Sequence, residues 1–131
     1  MRNANAFLAA EVHIVGKRRW NRRGAMVTDR YQHIRYHETI ADLARWSEGA
    51  DLPIIGIDIV PEALPLEGAS LPRRCVLLFG QEGPGLTGEG LEVCANVYAI
   101  TQFGSTRSVN LGVASGIGMH SWIRQHGLRS D

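Results

Sequence analysis

Two small polar side chains, Ser108 and Asn110, follow an apolar segment near the end of the chain. The sequence predicts a strand that ends at Ile100, a glycine-bearing turn, and then a helix whose first turn carries both residues. Backbone N–H groups and the positive end of the helix dipole meet these side chains there, which favours binding of a polar or charged group. Serine and asparagine are also common helix N-caps, so a purely structural role explains them equally well.

A second glycine-rich turn, residues 79–86, follows another apolar run. It contains Gly83-Pro-Gly-Leu-Thr-Gly88, which matches the glycine spacing of the dinucleotide-binding fingerprint. That fingerprint needs an acidic residue about 20 residues further on to hold a ribose hydroxyl. Because no acid follows Glu92 before Asp131, the turn does not favour a dinucleotide-binding enzyme.

Alternating strands and helices position the two turns. This alternation indicates an α/β domain with a mostly parallel sheet and helices on both faces. Ligands bind beyond the carboxyl ends of the strands in such sheets, so we expect the two turns to form one pocket. Strands are predicted at Glu11–Val15, Leu52–Val60, Arg74–Phe79 and Ala95–Ile100, and helices at Arg2–Ala10, His37–Glu48 (stopped by Gly49), Leu86–Cys94 (capped by Thr87) and Ser108–His126. Loops are predicted at Met26–Tyr36, with short extended pieces, and at Pro61–Pro72.

The final predicted helix is apolar on two sides. Val109, Val113 and Ile117 form one stripe, and a second runs through Leu111, Ala114, Gly118 and Trp122. An all-round apolar helix is expected to be buried on two sides, within the chain or at a dimer interface.

Composition is compatible with one domain over residues 1–131, with 44% hydrophobic residues and a net charge of +1. No apolar run approaches the length of a membrane span or the core of a signal peptide, so we expect no membrane partner and a cytoplasmic location. Cys75 and Cys94 show no metal-binding spacing and are expected to be buried, reduced thiols; no metal site is expected.

Charge is unevenly distributed along the chain. Cations cluster between Lys17 and Arg35, whereas acids dominate from Glu38 to Leu71. Within the run from Lys17 to Arg23, cations lie on both sides of Trp20. Phosphate-binding cations combined with a stacking aromatic are typical of RNA recognition, although solvated charge clusters are also common on protein surfaces. The candidate RNA-binding residues are Lys17, Arg18, Arg19, Trp20, Arg22 and Arg23.

The two turns together resemble motifs of the SpoU (TrmH-like) branch of the SPOUT RNA methyltransferases. Phe79-Gly-Gln-Glu-Gly-Pro-Gly-Leu86 is similar to the second family motif, and Gly104-Ser-Thr-Arg-Ser-Val-Asn-Leu111 to the third. Arg2-Asn-Ala-Asn-Ala-Phe-Leu-Ala-Ala-Glu-Val-His-Ile-Val-Gly16 is similar to the helix and strand that follow the first motif, with Arg2 in the place of its arginine. The resemblance covers nearly the whole chain.

The resemblance implies a C-terminal deep trefoil knot, a rare exception to unknotted topology. It also implies S-adenosylmethionine bound between the two turns, a homodimer, and methyl transfer to a ribose 2′-hydroxyl of tRNA or rRNA. Three departures from the pattern stand out. The strand that precedes the arginine in the family is expected to be missing before Arg2, Leu8 replaces a glycine, and Thr101-Gln102 replaces the usual Pro-Met after the strand that ends at Ile100.

The resemblance also assigns roles to individual residues. Arg2 would make the hydroxyl proton easier to lose, Glu82 would anchor Arg2 or contact the substrate, and Ser108 and Asn110 would orient both by hydrogen bonds. The cofactor contacts would be Phe79, Gly80, Ile100, Gln102, Val109 and Leu111. The alternative is a catalytically impaired RNA-binding homologue of the same fold, if the first strand is missing as expected.

Overall fold

A computed structural model describes residues 9–16, 33–80, 86–103 and 111–127. The strands are β1 (Glu11–Val15), β2 (His33–His37), β3 (Ile54–Ile57), β4 (Leu64–Pro65), β5 (Val76–Phe79) and β6 (Asn96–Ala99). The helices are α1 (Ile40–Gly49), α2 (Gly88–Glu92) and α3 (Leu111–His126), with a 3₁₀ helix at Leu66–Gly68. The predicted Arg2–Ala10 helix lies mostly outside the described residues.

All described strand pairs are parallel. Four strands form a sheet in the order β4-β6-β3-β5, and β1 pairs with β2 in a separate two-stranded ladder. The central strand β3 pairs with β5 on one side and with β6 on the other. The predicted parallel α/β architecture is therefore confirmed.

Side chains of β3 alternate between two apolar layers, because successive residues of a strand point to opposite faces. Ile54 packs in a cluster with Leu43 of α1 and Leu78 of β5. Ile55 and Ile57 pack in a second cluster, which also receives Trp122 of α3. Helices thus cover both faces of the sheet, as predicted.

Helix α1 begins three residues later than predicted, because β2 extends to His37 and Thr39 caps the helix. The Thr39 hydroxyl accepts a hydrogen bond from the Asp42 N–H at 3.2 Å, and the Asp42 carboxylate accepts one from the Thr39 N–H at 3.3 Å. Gly49 does not stop the helix: it is the last helical residue, and Asp51 adopts the positive φ of 57° that follows.

Other predicted boundaries also shift. The Leu52–Val60 strand is shorter, because Pro53 lacks an N–H and the Asp58 carboxylate accepts a hydrogen bond from the Ile59 N–H. Arg74–Phe79, Leu86–Cys94 and Ala95–Ile100 shorten to β5, α2 and β6. The Pro61–Pro72 loop contains β4 and the 3₁₀ helix, and the predicted Met26–Tyr36 loop ends in β2, which pairs with β1.

The predicted cap at Thr87 is confirmed, since its hydroxyl accepts a hydrogen bond from the Gly90 N–H at 3.0 Å.

Helix α3 packs against the chain through the later part of one apolar stripe, at Gly118 and Trp122, whereas Leu111 at the start of that stripe is 37% exposed. Gly118 is buried, and the Trp122 indole donates to the carbonyls of Pro72 and Arg73 at 3.1 Å. The other stripe is open in the single chain, where Val113 is 53% and Ile117 37% exposed. The expectation of burial on both sides therefore fails within one chain.

Both cysteines are free and half-buried, and burial raises the pKa of the Cys75 thiol to about 11 and also raises the pKa of Cys94. Within the described ranges, none of the helices is long and apolar enough to cross a membrane. The trefoil knot stays a prediction, because residues 81–85 and 104–110 lie outside the described part of the chain.

Gly56 is the position in β3 where a side chain has no room. A Cβ there would lie 2.8 Å from the Cys94 Sγ and 3.1 Å from the Leu86 Cδ1. Gly56→Ala should lower the free energy of unfolding by about 1–3 kcal/mol, as overpacking does elsewhere, in urea denaturation. Gly68→Ala is the control, since a Cβ there meets nothing within 4 Å. Equal midpoints for the two variants would contradict the described packing of β3.

Candidate active site at the carboxyl edge of the sheet

Three strands of the sheet end side by side. The parallel register pairs Ile57 at the end of β3 with Phe79 at the end of β5 and with Tyr98 in β6. The chain segments that leave these strands, beginning at Asp58, Gly80 and Ile100, therefore start at one edge. Both glycine-rich turns begin at this edge, as expected for a ligand pocket of an open parallel sheet.

Phe79 is held at this edge by helix α3. It is half-buried and packs against the cluster that contains Ile55 and Ile57. A Cβ at Gly118 would lie only 3.0 Å from the Phe79 Cζ, so the glycine allows the helix backbone to approach the ring closely. The helix that follows the second turn thereby fixes the residue that opens the first.

Asp58 joins the end of β3 to β6 and to the end of the first glycine-rich turn by hydrogen bonds. Its carboxylate accepts from the Leu86 N–H at 2.9 Å and from the Ile59 N–H at 2.8 Å. Its own N–H donates to the Tyr98 carbonyl at 3.0 Å. The side chain therefore connects the end of β3 to the residue where the first glycine-rich turn ends.

Glu67 makes a similar connection to the segment that follows β6. Its carboxylate accepts from the Thr101 N–H at 3.1 Å and 3.3 Å, and from the Thr101 hydroxyl. The hydroxyl hydrogen bond is the main cause that lowers the pKa of Glu67, and it outweighs the opposing effect of burial. Next along the chain, the Gln102 amide donates to the Ile100 carbonyl at 3.0 Å.

The structure brings four of the predicted cofactor residues to this edge: Phe79, Gly80, Ile100 and Gln102. Leu111 is the first residue of α3 and is 37% exposed. The other predicted site residues lie outside the described part of the chain; they are Arg2, Glu82, Ser108, Val109, Asn110, Lys17, Arg18, Arg19, Trp20, Arg22 and Arg23. In the ranges that are described, no cluster of His, Cys, Asp or Glu side chains could hold a metal ion.

Sequence reasoning overlooked Asp58 and Glu67 as site residues. Asp58 directly follows an isoleucine-rich strand, and an acidic residue at the carboxyl end of a buried strand is a sequence signal for a polar group at the ligand-binding edge of the sheet. Glu67 had no such signal, because its partner Thr101 is 34 residues away and the 3₁₀ helix between them was not predicted.

A second polar cluster, also not predicted, spans β1, β2 and α1. His13 hydrogen bonds to His37 at 2.8 Å and to Glu11 at 2.9 Å, and Glu11 also accepts from Arg35 at 2.9 Å. The Trp46 ring packs beside His13 with centroids 4.3 Å apart. Burial, followed by the charge of His13, lowers the pKa of His37. This cluster joins the two strands between which the basic run lies in the sequence.

A model of the SpoU rRNA Methylase family matches residues 1–120. The chain belongs to the SpoU rRNA methylase family. It is 27% identical over 128 residues to the tRNA (guanosine(18)-2′-O)-methyltransferase of Escherichia coli K12, and the match covers 95% of this chain and 56% of that enzyme. The chain thus spans about half the length of the curated relatives it matches.

Solved structures of the SpoU type share the fold. The AdoMet-bound rRNA methyltransferase from Sinorhizobium meliloti superposes with a TM-score of 0.85 at 24% identity, over 98% of this chain and 50% of that one. The TrmH/SpoU tRNA modifying enzyme from A. aeolicus gives a TM-score of 0.85 at 19% identity, over 96% of this chain and 66% of the other.

The Glu67–Thr101 contact predicts a pKa change. Thr101→Val deletes the hydroxyl donor and keeps the N–H, so the pKa of Glu67 should rise toward its ordinary value of 4.5. The pKa of Glu67 is lower in the folded chain than in the unfolded chain, so the contact stabilises the fold at pH values above the unfolded-state pKa. This stabilisation is lost as the pH falls through the pKa of the folded chain. An NMR titration of the Glu67 carboxyl carbon measures the change. Thr101→Ser, which retains the hydroxyl, should titrate like the wild type; an unchanged pKa in the valine variant would contradict the contact.

Proposed function

We propose that this chain transfers the methyl group of S-adenosylmethionine to a ribose 2′-hydroxyl of tRNA or rRNA, acting in the cytoplasm as one methyltransferase domain. The observation that carries the proposal is the common edge at which β5 leads into one family motif and β6 leads into the segment that precedes the other. Membership of the family and the AdoMet-bound neighbour of the same fold support it.

The residues at this edge are compatible with such a cofactor. Phe79 and Ile100 offer apolar surface for an adenine ring or a methionine chain, and Gly80 exposes backbone without a side chain. With Gln102, Val109 and Leu111 they would hold the cofactor largely through backbone groups. The sulfonium supplies an activated methyl group, so the chain has to position the acceptor and promote loss of its proton.

Four further residues would position the ribose hydroxyl and promote the loss of its proton. A ribose hydroxyl is a poor nucleophile, and alignment with the methyl group contributes several kcal/mol to catalysis on its own. Arg2, beside the hydroxyl or a neighbouring phosphate, would stabilise the developing negative charge; a guanidinium is not itself a base. Glu82 would anchor Arg2 or contact the substrate, and Ser108 and Asn110 would orient nucleotide and arginine by hydrogen bonds.

The RNA would be bound by the basic run from Lys17 to Arg23. Such a run combines phosphate-binding cations with Trp20 as a stacking platform. It lies between β1 and β2 in the sequence, so the cluster that joins these strands would support its two ends.

A homodimer through α3 is part of the proposal. Val113 and Ile117 form an apolar stripe that is exposed in the single chain. Pairing with a second copy would remove this stripe from water, which is a favourable contribution to association.

Methyl transfer tests the proposal directly. Purified chain, radiolabelled S-adenosylmethionine and a mixture of tRNA and rRNA should give label in RNA at ribose 2′ positions, identified after nuclease digestion. Asn110→Ala should reduce transfer by about 100-fold or more, on the scale of losing one oriented polar contact in a transition state. Asn96→Ala changes an exposed asparagine at the start of β6 and serves as the control.

Two results would contradict the proposal. One is RNA binding without methyl transfer by the wild-type chain, which is the behaviour of an impaired homologue. The other is full activity of Asn110→Ala, which would remove that residue from the site.

A further inference from the structure

We propose that Asp58 and Glu67 are positioning residues of the cofactor pocket. Each carboxylate binds main-chain N–H groups beside one of the two motif segments, Asp58 at the end of the first turn and Glu67 after β6. This inference rests on the proposed function, since it concerns the same pocket. It assigns a role to two side chains that belong to neither motif.

Asp58 is well placed to hold the first turn. It is half-buried at the end of the central strand, and each of its two carboxylate oxygens accepts one backbone N–H at 2.8–2.9 Å. Hydrogen bonds to an ionised acceptor are about twice as strong as neutral ones. Leu86, whose N–H is bound, also packs its side chain into the cluster of Ile54 and Leu78. The end of the turn is thus fixed both by charge and by packing.

Glu67 is held in place by its neighbours in the sequence. Leu66, the preceding residue, is 2% exposed and lies in the cluster with Ile55 and Ile57. Strand β4, just before the 3₁₀ helix, pairs with β6 through Leu64↔Tyr98 and Pro65↔Ala99. The carboxylate therefore projects from a rigid base toward Thr101.

The Glu67 contact acts on the segment that leaves β6. Both hydrogen-bond donors of Thr101, its N–H and its hydroxyl, are bound to this one carboxylate. Ile100 and Gln102, two of the proposed cofactor contacts, flank Thr101 on either side. Fixing Thr101 limits the backbone freedom of both neighbours before the cofactor binds, and preorganisation of this kind raises affinity.

Amide hydrogen exchange in the cofactor-free chain tests the anchoring itself. Asp58→Ala should accelerate exchange of the Leu86 amide, and Glu67→Ala that of the Thr101 amide, each by about tenfold, as loss of one charge-assisted hydrogen bond implies. Glu62→Ala removes an exposed acid from the same part of the chain and should change neither amide. Unchanged exchange in both carboxylate variants would overturn the inference.

Calorimetric titration with S-adenosylmethionine then tests the consequence for the pocket. Asp58→Ala and Glu67→Ala should each weaken binding by about tenfold, while Glu62→Ala binds like the wild type. Asp58→Asn and Glu67→Gln keep one acceptor and should give intermediate affinities. They also keep the test decisive if an alanine variant does not fold. Urea midpoints are measured in parallel, and weaker binding that follows only the loss of global stability would contradict a positioning role.

The outcomes separate this inference from the proposed function. A wild-type chain that binds the cofactor, with carboxylate variants that bind equally well, overturns only the positioning role. A wild-type chain that gives no binding overturns the proposed function, and the exchange measurement then decides whether the two carboxylates anchor these segments.

Discussion

Burial of the short strand β3 is the constraint on which the rest of the structure depends. Its four residues are all buried, and both of its edges are paired, with β5 and with β6. Gly56 makes this possible, since a side chain there would meet Cys94 and Leu86. Because the three strands run in the same direction, their carboxyl ends come together and both motif turns begin at one edge. The geometry of the proposed pocket is a consequence of this hydrophobic packing.

Hydrogen bonds at that edge fix the segments that follow the strands, in addition to the hydrophobic packing. Asp58 and Glu67 each hold backbone donors that belong to neighbouring segments, at 2.9 Å for Leu86 and 3.1 Å for Thr101. Gly118 lets α3 approach Phe79, so the helix after the second turn supports the start of the first. The family motifs contain the groups proposed for chemistry, and Asp58 and Glu67, which lie outside the motifs, bind main-chain groups of Leu86 and Thr101. Substitutions of Asp58 and Glu67 are therefore expected to weaken binding of the proposed cofactor more than they lower the free energy of unfolding.

The sequence predicted the parts of the fold that local patterns control. Strand β1, the alternation of strands and helices, and the Thr87 cap follow from hydrophobic spacing and from cap chemistry, and the structure confirms them. The start of α1 was predicted wrongly because a tertiary contact decides it: β2 extends through His37, where it pairs with β1. At the other end of α1, Asp51 adopts the positive φ, and local hydrogen bonds from Asp51 to Glu48 and from Leu52 to Ser47 close the helix. The residues of the candidate site that belong to the two motifs were predicted from the sequence. The Glu67–Thr101 contact was not predicted, because it joins residues 34 apart and involves a 3₁₀ helix that the sequence did not indicate.

The edge formed by β3, β5 and β6 is the proposed binding site for S-adenosylmethionine. Two-dimensional amide NMR of the isotopically labelled chain, recorded during addition of the cofactor, tests it most directly. We expect saturable shifts at Phe79, Gly80, Ile100 and Gln102, with the amides of β1 unchanged. Shifts confined to the β1–β2 pair, or no shifts at saturating cofactor, would contradict it.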